Sequence, residues 1–258
     1  MASDFLARIL AAKRREVEAR KIAKPLGEEM FRSRRPGAFR RAFAGDRVSL
    51  IAEIKRASPS KGPLRPDLSP ADLARAYETA GAAAVSVVTD HEFFGGSLDD
   101  LREARAACRL PLLRKDFVID PYQVLEAAEA GADAVLLIVA ALPGLALGGL
   151  MAEARAVGLD SLVEVHDARE LEAAQRAGAT IIGINNRDLA TFQVDPRTVF
   201  DLLPGVARGV LVVAESSIRS AQDVLALREA GVRAILVGEA LVTAPDPGAR
   251  IRELMSLV

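Results

Sequence analysis

The sequence has 258 residues, 50% of them hydrophobic and 27% charged, with a formal net charge of −1. A net charge this close to zero gives no strong positive field of the kind that attracts nucleic acid. The uninterrupted apolar runs are too short to span a membrane. One cysteine, Cys108, excludes an internal disulfide, and two histidines complete no convincing transition-metal cluster. The N-terminus has no apolar core typical of a secretion signal, so we expect a cytoplasmic protein.

The first part of the chain predicts a helical extension. Apolar residues recur at helical spacing over 3–22, with Ser3 or Asp4 as the N-cap. The Arg-rich stretch 32–47, which contains proline and glycine, predicts a solvated connector with a short helix. We expect residues 1–48 to pack on a barrel formed by residues 49–258, together as one domain.

From Ser49 onward, short apolar runs alternate with helical segments. Runs rich in Val, Ile and Leu are typical of parallel strands buried on both faces. The predicted strands are 50–55, 84–88, 111–115, 134–139, 160–165, 180–185, 210–215 and 233–237. The predicted helices are 70–80, 98–107, 121–130, 145–157, 167–177, 196–202, 219–230 and 246–256.

A weak internal repeat supports this count of eight βα units. Ala-Gly-Ala at 80–82, 130–132 and 177–179, and Ala-Gly-Val at 230–232, each precede an even-numbered strand. Glycine at the end of a helix favours the left-handed turn that leads into the next strand. We therefore predict an α/β fold, a (β/α)8 TIM barrel. An open doubly wound sheet is the alternative, but it predicts no such even spacing and usually has fewer parallel strands.

Several predicted strands end in polar side chains. In a (β/α)8 barrel these ends meet at the mouth where chemistry takes place. Side chains alternate along a strand, so each polar residue shares its face with an apolar residue two positions earlier. The polar strand ends are Glu53 and Lys55, Lys115, Glu164, Asn185, and Glu215 followed by Ser216.

Lysine and glutamate in a shared, partly dry pocket can act as acid and base. The structural alternative for Lys115 is an ion pair that only orders the rim. His166 is interpreted as a structural hydrogen bonder, and Arg114 and Asp116 have the parity that faces the helices.

The loops predict an anion site and an aromatic wall. Barrels commonly bind phosphate through the loops after strands seven and eight, here at Ser217 and at Gly238-Glu239, to which the loop from Ser58 to Gly62 can add donors. The loop at 91–97 is interpreted as a flap that places Phe94 over an aromatic substrate, with Phe117 opposite. The chain has neither a Walker lysine loop nor a Rossmann GxGxxG, so no nucleotide cofactor is indicated.

At this point the residues match a known family: the chain closely resembles indole-3-glycerol-phosphate synthase along nearly its whole length. The motifs that carry the resemblance are Glu53-Ile54-Lys55-Arg56-Ala57-Ser58-Pro59-Ser60, Phe94-Gly95-Gly96-Ser97, Leu113-Arg114-Lys115-Asp116-Phe117, Val163-Glu164-Val165-His166, Gly183-Ile184-Asn185-Asn186-Arg187-Asp188-Leu189 and Ala214-Glu215-Ser216.

The resemblance implies that 1-(2-carboxyphenylamino)-1-deoxyribulose 5-phosphate is cyclised with loss of carbon dioxide and water. It implies that Lys115 is the general acid of ring closure, that Glu164 and Lys55 handle the dehydration in an order left open, and that Glu53 tunes Lys55. The remaining implied contacts are Asn185, Glu215 and Ser216 for orientation; Arg187 for the carboxylate; Ser58, Ser217, Gly238 and Glu239 for phosphate; and Pro59, Phe94, Phe117, Leu136 and Leu189 for the aryl ring.

The implied partner is a phosphorylated small-molecule substrate, and no cofactor or metal is implied. The protein itself is expected to be a monomer or weak homodimer. Lys115 is expected to have a lowered pKa through burial near Arg and Lys. Ser217 stands where the family usually has glycine, and a positive φ there would cost about 1 kcal/mol. The carboxylate of Glu239 would have to point away from the phosphate.

Three alternatives stay open at this stage. A phosphoribosylanthranilate isomerase would rely on a Cys/Asp pair, which fits poorly with Cys108 in a helical pattern. A Schiff-base aldolase would form an imine that borohydride traps. A non-catalytic phosphosugar-binding barrel would not require opposed acid and base groups.

Overall fold

The computed structural model describes residues 2–27, 37–142, 144–189 and 191–258. Within these ranges, eight parallel strands close into a barrel in sequence order. Ile51 in the first strand pairs with Ala84 of the second and Leu236 of the last, which closes the ring. The strands are β1 Ser49–Ile54, β2 Ala84–Val88, β3 Leu112–Lys115, β4 Ala134–Ile138, β5 Asp160–Val165, β6 Ile181–Asn185, β7 Leu211–Glu215 and β8 Ala234–Val237.

Helices follow the strands and surround them. Many begin at a Ser or Asp whose side chain accepts a hydrogen bond from the first turn, as Ser97 does from the Asp100 backbone. The predicted glycine C-caps are confirmed, since Gly81 and Gly131 have φ of 91° and 93°. The helices are α1 Ala2–Ala23, α2 Ala38–Arg41, α3 Pro70–Thr79, α4 Leu98–Ala107, α5 Pro121–Glu129, α6 Ala146–Ala156, α7 Ala168–Arg176, α8 Thr198–Leu202, α9 Ala221–Glu229, α10 Glu239–Val242 and α11 Pro247–Leu254.

Helix α1 lies against the barrel next to α5. The Tyr122 hydroxyl donates to the backbone carbonyls of Arg20 and Lys24, and the Lys24 ammonium lies 2.7 Å from Glu129. Helix α2 is the short helix predicted for the Arg-rich connector. The part of that connector at 32–36 lies outside the described residues.

Among the elements that were not predicted are two short ones, after β1 and after β8. Ala57–Ser58 and Gly62–Pro63 form a small antiparallel hairpin after β1, and α10 follows β8 directly. Both are too short to show a hydrophobic period. Helix α8 begins at Thr198, two residues later than expected at 196.

The barrel interior is filled by apolar side chains, including the fully buried Leu113, Leu162 and Val213. These are the residues two positions before Lys115, Glu164 and Glu215, so the predicted parity is confirmed. Cys108 is buried at the end of α4. No helix in the described ranges is long and apolar enough to cross a membrane.

Candidate active site

A cavity of about 460 Å³ opens at the carboxyl ends of the strands. All the side chains predicted for the site from the sequence line it. They are Glu53, Lys55, Ser58, Pro59, Phe94, Lys115, Phe117, Leu136, Glu164, Asn185, Arg187, Leu189, Glu215, Ser216, Ser217, Gly238 and Glu239.

The end of β1 places an ion pair in this cavity. Glu53 is buried, and its Oε1 lies 2.8 Å from the Lys55 ammonium. Its carboxylate occupies space that Gly238 leaves free, because a Cβ at position 238 would lie 2.4 Å from Glu53 Oε1. The glycine after β8 therefore makes room for the carboxylate at the end of β1.

The Lys115 ammonium lies between two carboxylates from other strands. Its Nζ is 3.2 Å from Glu164 Oε2 and 3.6 Å from Glu215 Oε2. Glu215 again sits over a glycine, since a Cβ at Gly183 would lie 2.2 Å from Glu215 Oε1. The ends of β3, β5 and β7 thus bring an ammonium and two carboxylates together.

The expected lowering of the Lys115 pKa is wrong. Burial does pull its pKa down, but the negative charges of Glu164, Glu215 and Glu53 outweigh burial and hold the pKa above its usual value. Arg114, which the sequence places one residue away, is directed to Gln123 and Glu126 of α5 instead. Lys115 is therefore a charged ammonium among acidic side chains.

The pKa values of Glu164 and Glu215 are shifted in opposite directions. Burial disfavours ionisation of Glu164, but Lys115, His166 and Asn185 hold its pKa well below its ordinary value. Burial and the nearby Glu164 charge raise the pKa of Glu215 to about 8. One carboxylate and one protonated carboxyl at neutral pH are the expected result when two such groups share one ammonium.

His166 lies behind Glu164 and connects it to α7. Its Nε2 is 3.3 Å from Glu164 Oε1, and its Nδ1 is 2.9 Å from Glu170 Oε2. Burial lowers the pKa of the imidazole, but the two glutamates outweigh burial and raise it to about 10. The interpretation of His166 as a hydrogen bonder at the strand end agrees with this geometry.

Asn185 organises the end of β6. Its Oδ1 accepts hydrogen bonds from the Ser216 hydroxyl at 2.8 Å and from the Arg187 backbone N–H at 3.0 Å. The Arg187 guanidinium donates to the Phe192 carbonyl at 3.2 Å. Arg187 and Ser216 therefore have fixed positions on the cavity wall.

The rim at β7 has an unusual backbone. Ser216 and Ser217 both have positive φ, 63° and 62°. The anticipated strain at Ser217 is therefore present, and its hydroxyl accepts a hydrogen bond from Asn186 Nδ2 at 2.8 Å. Glu239, at the start of α10, pairs with Lys61 at 2.5 Å.

Apolar side chains form the other wall. The Phe94 and Phe117 rings lie with centroids 6.2 Å apart at a tilt of 41°, so these two residues are neighbours in direct contact on this wall, not on opposite sides of the pocket as predicted. Pro59, Leu136 and Leu189 also line the cavity.

Further residues line the cavity that were not predicted as site residues, among them Asp90, Phe192 and Ile138. Phe192 has a φ of 59° and reaches the cavity from the loop after β6. The alternation of side chains along β4 was the one available signal for Ile138, because it shares a face with Leu136. In the part of the chain that is described, no group of three or more His, Cys, Asp or Glu side chains is arranged to hold a metal ion.

The fold and the site define a TIM-barrel enzyme with acid and base groups at the carboxyl ends of its strands. Solved structures agree on the fold. A mutant tryptophan synthase α-subunit from Pyrococcus furiosus aligns with a TM-score of 0.63 at 16% identity, covering 81% of this chain and 98% of that one. A thiamine phosphate pyrophosphorylase from the same organism aligns with a TM-score of 0.61 at 19% identity, and the alignment covers 82% of this chain and 95% of that one.

The sequence comparisons give the family. The model for indole-3-glycerol phosphate synthase matches residues 6–254. Indole-3-glycerol phosphate synthases from Syntrophobacter fumaroxidans and Dechloromonas aromatica are 49% and 48% identical; each covers 98% of this chain, over 97% and 100% of the relative. The chain belongs to the indole-3-glycerol phosphate synthase family. It is a carboxy-lyase of tryptophan biosynthesis with a phosphorylated substrate.

Proposed function

We propose that the chain converts 1-(2-carboxyphenylamino)-1-deoxyribulose 5-phosphate to indole-3-glycerol phosphate by lysine and glutamate acid–base catalysis. The ring carbon that bears the carboxylate attacks the ribulose carbonyl carbon, and the carbonyl oxygen takes a proton. The carboxylate leaves as carbon dioxide and its electron pair restores the aromatic ring. Loss of the new hydroxyl as water, with one proton from the adjacent carbon, then gives the indole.

The observation that carries this proposal is the Lys115 ammonium, 3.2 Å from Glu164 and 19% exposed to the cavity. A raised pKa keeps Lys115 charged at neutral pH, so it can stabilise the developing alkoxide and deliver the proton as that oxygen becomes basic. We assign Lys115 as the general acid of ring closure.

Glu164 acts as the base of dehydration, and Lys55 as the acid that protonates the departing hydroxyl. While Lys115 is charged, the pKa of Glu164 is held low. Once Lys115 has given up its proton, that stabilisation is gone, and Glu164 becomes a stronger base. Lys55 is held by Glu53 at 2.8 Å, which orients its ammonium independently of the Lys115 cluster.

The remaining residues bind and orient. Ser58 and the backbone N–H groups of Ser217, Gly238 and Glu239 take the phosphate, with the Glu239 carboxylate held aside by Lys61. Arg187 meets the carboxylate of the substrate, and the aryl ring lies among Pro59, Phe94, Phe117, Leu136 and Leu189. Asn185, Ser216 and the protonated Glu215 orient the sugar hydroxyls.

Indole fluorescence gives a direct test, because the chain contains no tryptophan. The purified protein should produce indole emission from the carboxyphenylamino substrate without added metal or cofactor. Glu164→Gln should bind substrate and, in a single turnover, release carbon dioxide faster than it forms indole. If carbon dioxide and indole appear together at the wild-type ratio, Glu164 is not the base of dehydration.

Sedimentation velocity would test our proposal that the chain is a monomer or weak homodimer.

A further inference from the structure

A second buried lysine lies on the N-terminal helix, outside the machinery proposed above. The Lys13 ammonium is within 2.9 Å of three carboxylates, those of Glu16, Asp90 and Asp116. Its side chain is 1% exposed. Burying an ammonium is costly unless opposite charges compensate it, so this position is closely specified.

One of these carboxylates leads to the loop after β2. Asp90 contacts Lys13 through Oδ2, while its Oδ1 accepts a hydrogen bond from the Phe93 backbone N–H at 2.9 Å. The Asp90 carbonyl accepts another from the Gly96 N–H at 2.8 Å. Asp90 therefore closes the loop that carries Phe94.

The other leads to the loop after β3. Asp116 Oδ1 contacts Lys13 and also accepts a hydrogen bond from the Phe117 backbone N–H at 2.8 Å. Its Oδ2 accepts from the Thr89 hydroxyl at 2.7 Å and from Arg114 at 3.0 Å. A single ammonium thus joins the backbone supports of Phe94 and Phe117.

The charges explain why this ammonium is needed. Asp90 and Asp116 each have an oxygen 2.9 Å from the Lys13 nitrogen atom, and two buried carboxylates that share one counter-ion repel each other. Arg114 is directed to the far oxygen of Asp116. Without Lys13, the two loops would lose the positive charge that lies between them.

The same helix touches the pocket loops a second time. The Phe5 ring packs edge-on against Phe93 at 5.6 Å between centroids and against Phe192 at 4.9 Å. Helix α1 therefore contacts the loops after β2 and β6 with an aromatic side chain, and those after β2 and β3 with a charged one.

We propose that Lys13 is a positioning residue for substrate recognition: it holds the loops after β2 and β3 together and so sets the positions of Phe94 and Phe117 on the wall of the aryl pocket. This inference rests on the proposed placement of the aryl ring against those two side chains. It assigns α1 a role in substrate affinity, exercised through Asp90 and Asp116.

The test compares Lys13→Met with Lys24→Met. Lys24 also joins α1 to the barrel by an ion pair, with Glu129, but it lies away from the pocket loops. Steady-state KM and kcat are measured by indole fluorescence, and the Kd for indole-3-glycerol phosphate by titration. Lys13→Met should raise KM and the product Kd by about tenfold or more and leave kcat within about threefold, because misplaced binding groups weaken recognition. Lys24→Met should change neither constant.

Asp90→Asn keeps the test decisive if Lys13→Met does not fold. It removes one charge but retains an oxygen that can accept from Phe93, and it should raise KM by about threefold. Unchanged KM and product Kd in the folded variants would overturn the inference, as would a loss confined to kcat. Phe94→Ala separates the two proposals. If this variant leaves KM unchanged, the proposed placement of the aryl ring is wrong. If it raises KM while the Lys13 and Asp90 variants do not, only the proposed role of Lys13 is wrong.

Discussion

Two buried lysines of this barrel differ in what surrounds them. Lys13 is sealed, with three carboxylate oxygens within 2.9 Å and 1% exposure. Lys115 is in looser contact with Glu164 and Glu215, at 3.2 and 3.6 Å, and is 19% exposed to the cavity. Carboxylates outweigh burial at both sites, so both lysines have a raised pKa.

The comparison separates two uses of the same chemistry. A lysine whose contacts are all made by protein fixes the geometry of the groups around it, and we call its surroundings the closed cluster (Lys13, Glu16, Asp90 and Asp116). A lysine open to a cavity can still interact with a ligand, and its surroundings form the open cluster (Lys115, Glu164, Glu215 and His166). Changes in the open cluster should therefore alter chemistry, and changes in the closed cluster should alter stability and binding.

The largest effect is expected in the open cluster. Lys115→Met should lower kcat by about 10³-fold because the general acid is lost, while KM changes little. The melting temperature should change only modestly, since Glu215 already tends to hold a proton and relieves the uncompensated charge. Initial rates and thermal melts measure both quantities. Near-normal turnover in this variant would remove Lys115 from the role of acid.

The matching change in the closed cluster should act on stability. Lys13→Met leaves Asp90 and Asp116 without their shared counter-ion and should cost about 3–5 kcal/mol in the free energy of unfolding. Urea denaturation of wild type and variant gives this difference. A loss below about 1 kcal/mol, the value of an exposed ion pair, would mean that the cluster is not sealed in solution.

Glu53, which lies in the same cavity as the open cluster, depends on a glycine for the space that its carboxylate occupies. Gly238→Ala would place a Cβ 2.4 Å from Glu53 Oε1, displacing this carboxylate and Lys55 with it. We expect kcat/KM to fall by about 10²-fold. Gly148→Ala is the control: it lies in α6 with nothing within 4 Å of the added Cβ, and it should keep full activity. Equal activity of the two variants would show that position 238 tolerates a side chain.

His166 allows the open cluster to be examined by pH. Its pKa rises from 6.5 to about 10 on folding, so the folded state holds the proton more tightly. The resulting stabilisation is complete below about pH 6.5 and is lost as the pH rises through 10. We expect wild type to exceed His166→Asn by about 2 kcal/mol at pH 6, with the difference shrinking toward pH 10. A difference that does not vary with pH would show that the imidazole is not charged in the fold.

The smallest effect is expected at the strained rim. Ser217→Gly relieves a positive φ, worth about 1 kcal/mol, but loses the hydrogen bond from Asn186, which is worth about the same. Its net effect should be near zero. Ser217→Ala keeps the strain and loses the bond, so it should be destabilised by about 1–2 kcal/mol. Equal stability of the two variants in urea would contradict this balance.

Much of the open cluster was predictable from the sequence because it depends on local rules. Apolar runs located the strands to within one residue, and strand parity placed Lys115 and Glu164 at the mouth. The barrel then brought these strand ends together without further information.

The closed cluster was not predictable, because nothing near Lys13 in the sequence names Asp90 or Asp116 as its partners. The predicted direction of the Lys115 pKa shift was wrong for a related reason. It depends on how closely three carboxylates from other strands approach, whereas the sequence shows Arg114 beside it. Helix α10 escaped prediction because four residues contain only one turn.

The end of β3 supplies both clusters from neighbouring residues, with Lys115 directed inward and Asp116 outward. Deletion of one residue just before Lys115 would set Asp116 where the acid must stand, and insertion of one residue there would set Lys115 against the N-terminal helix. The register at this strand end is therefore constrained twice, by the position of Lys115 in the cavity and by the contact of Asp116 with Lys13.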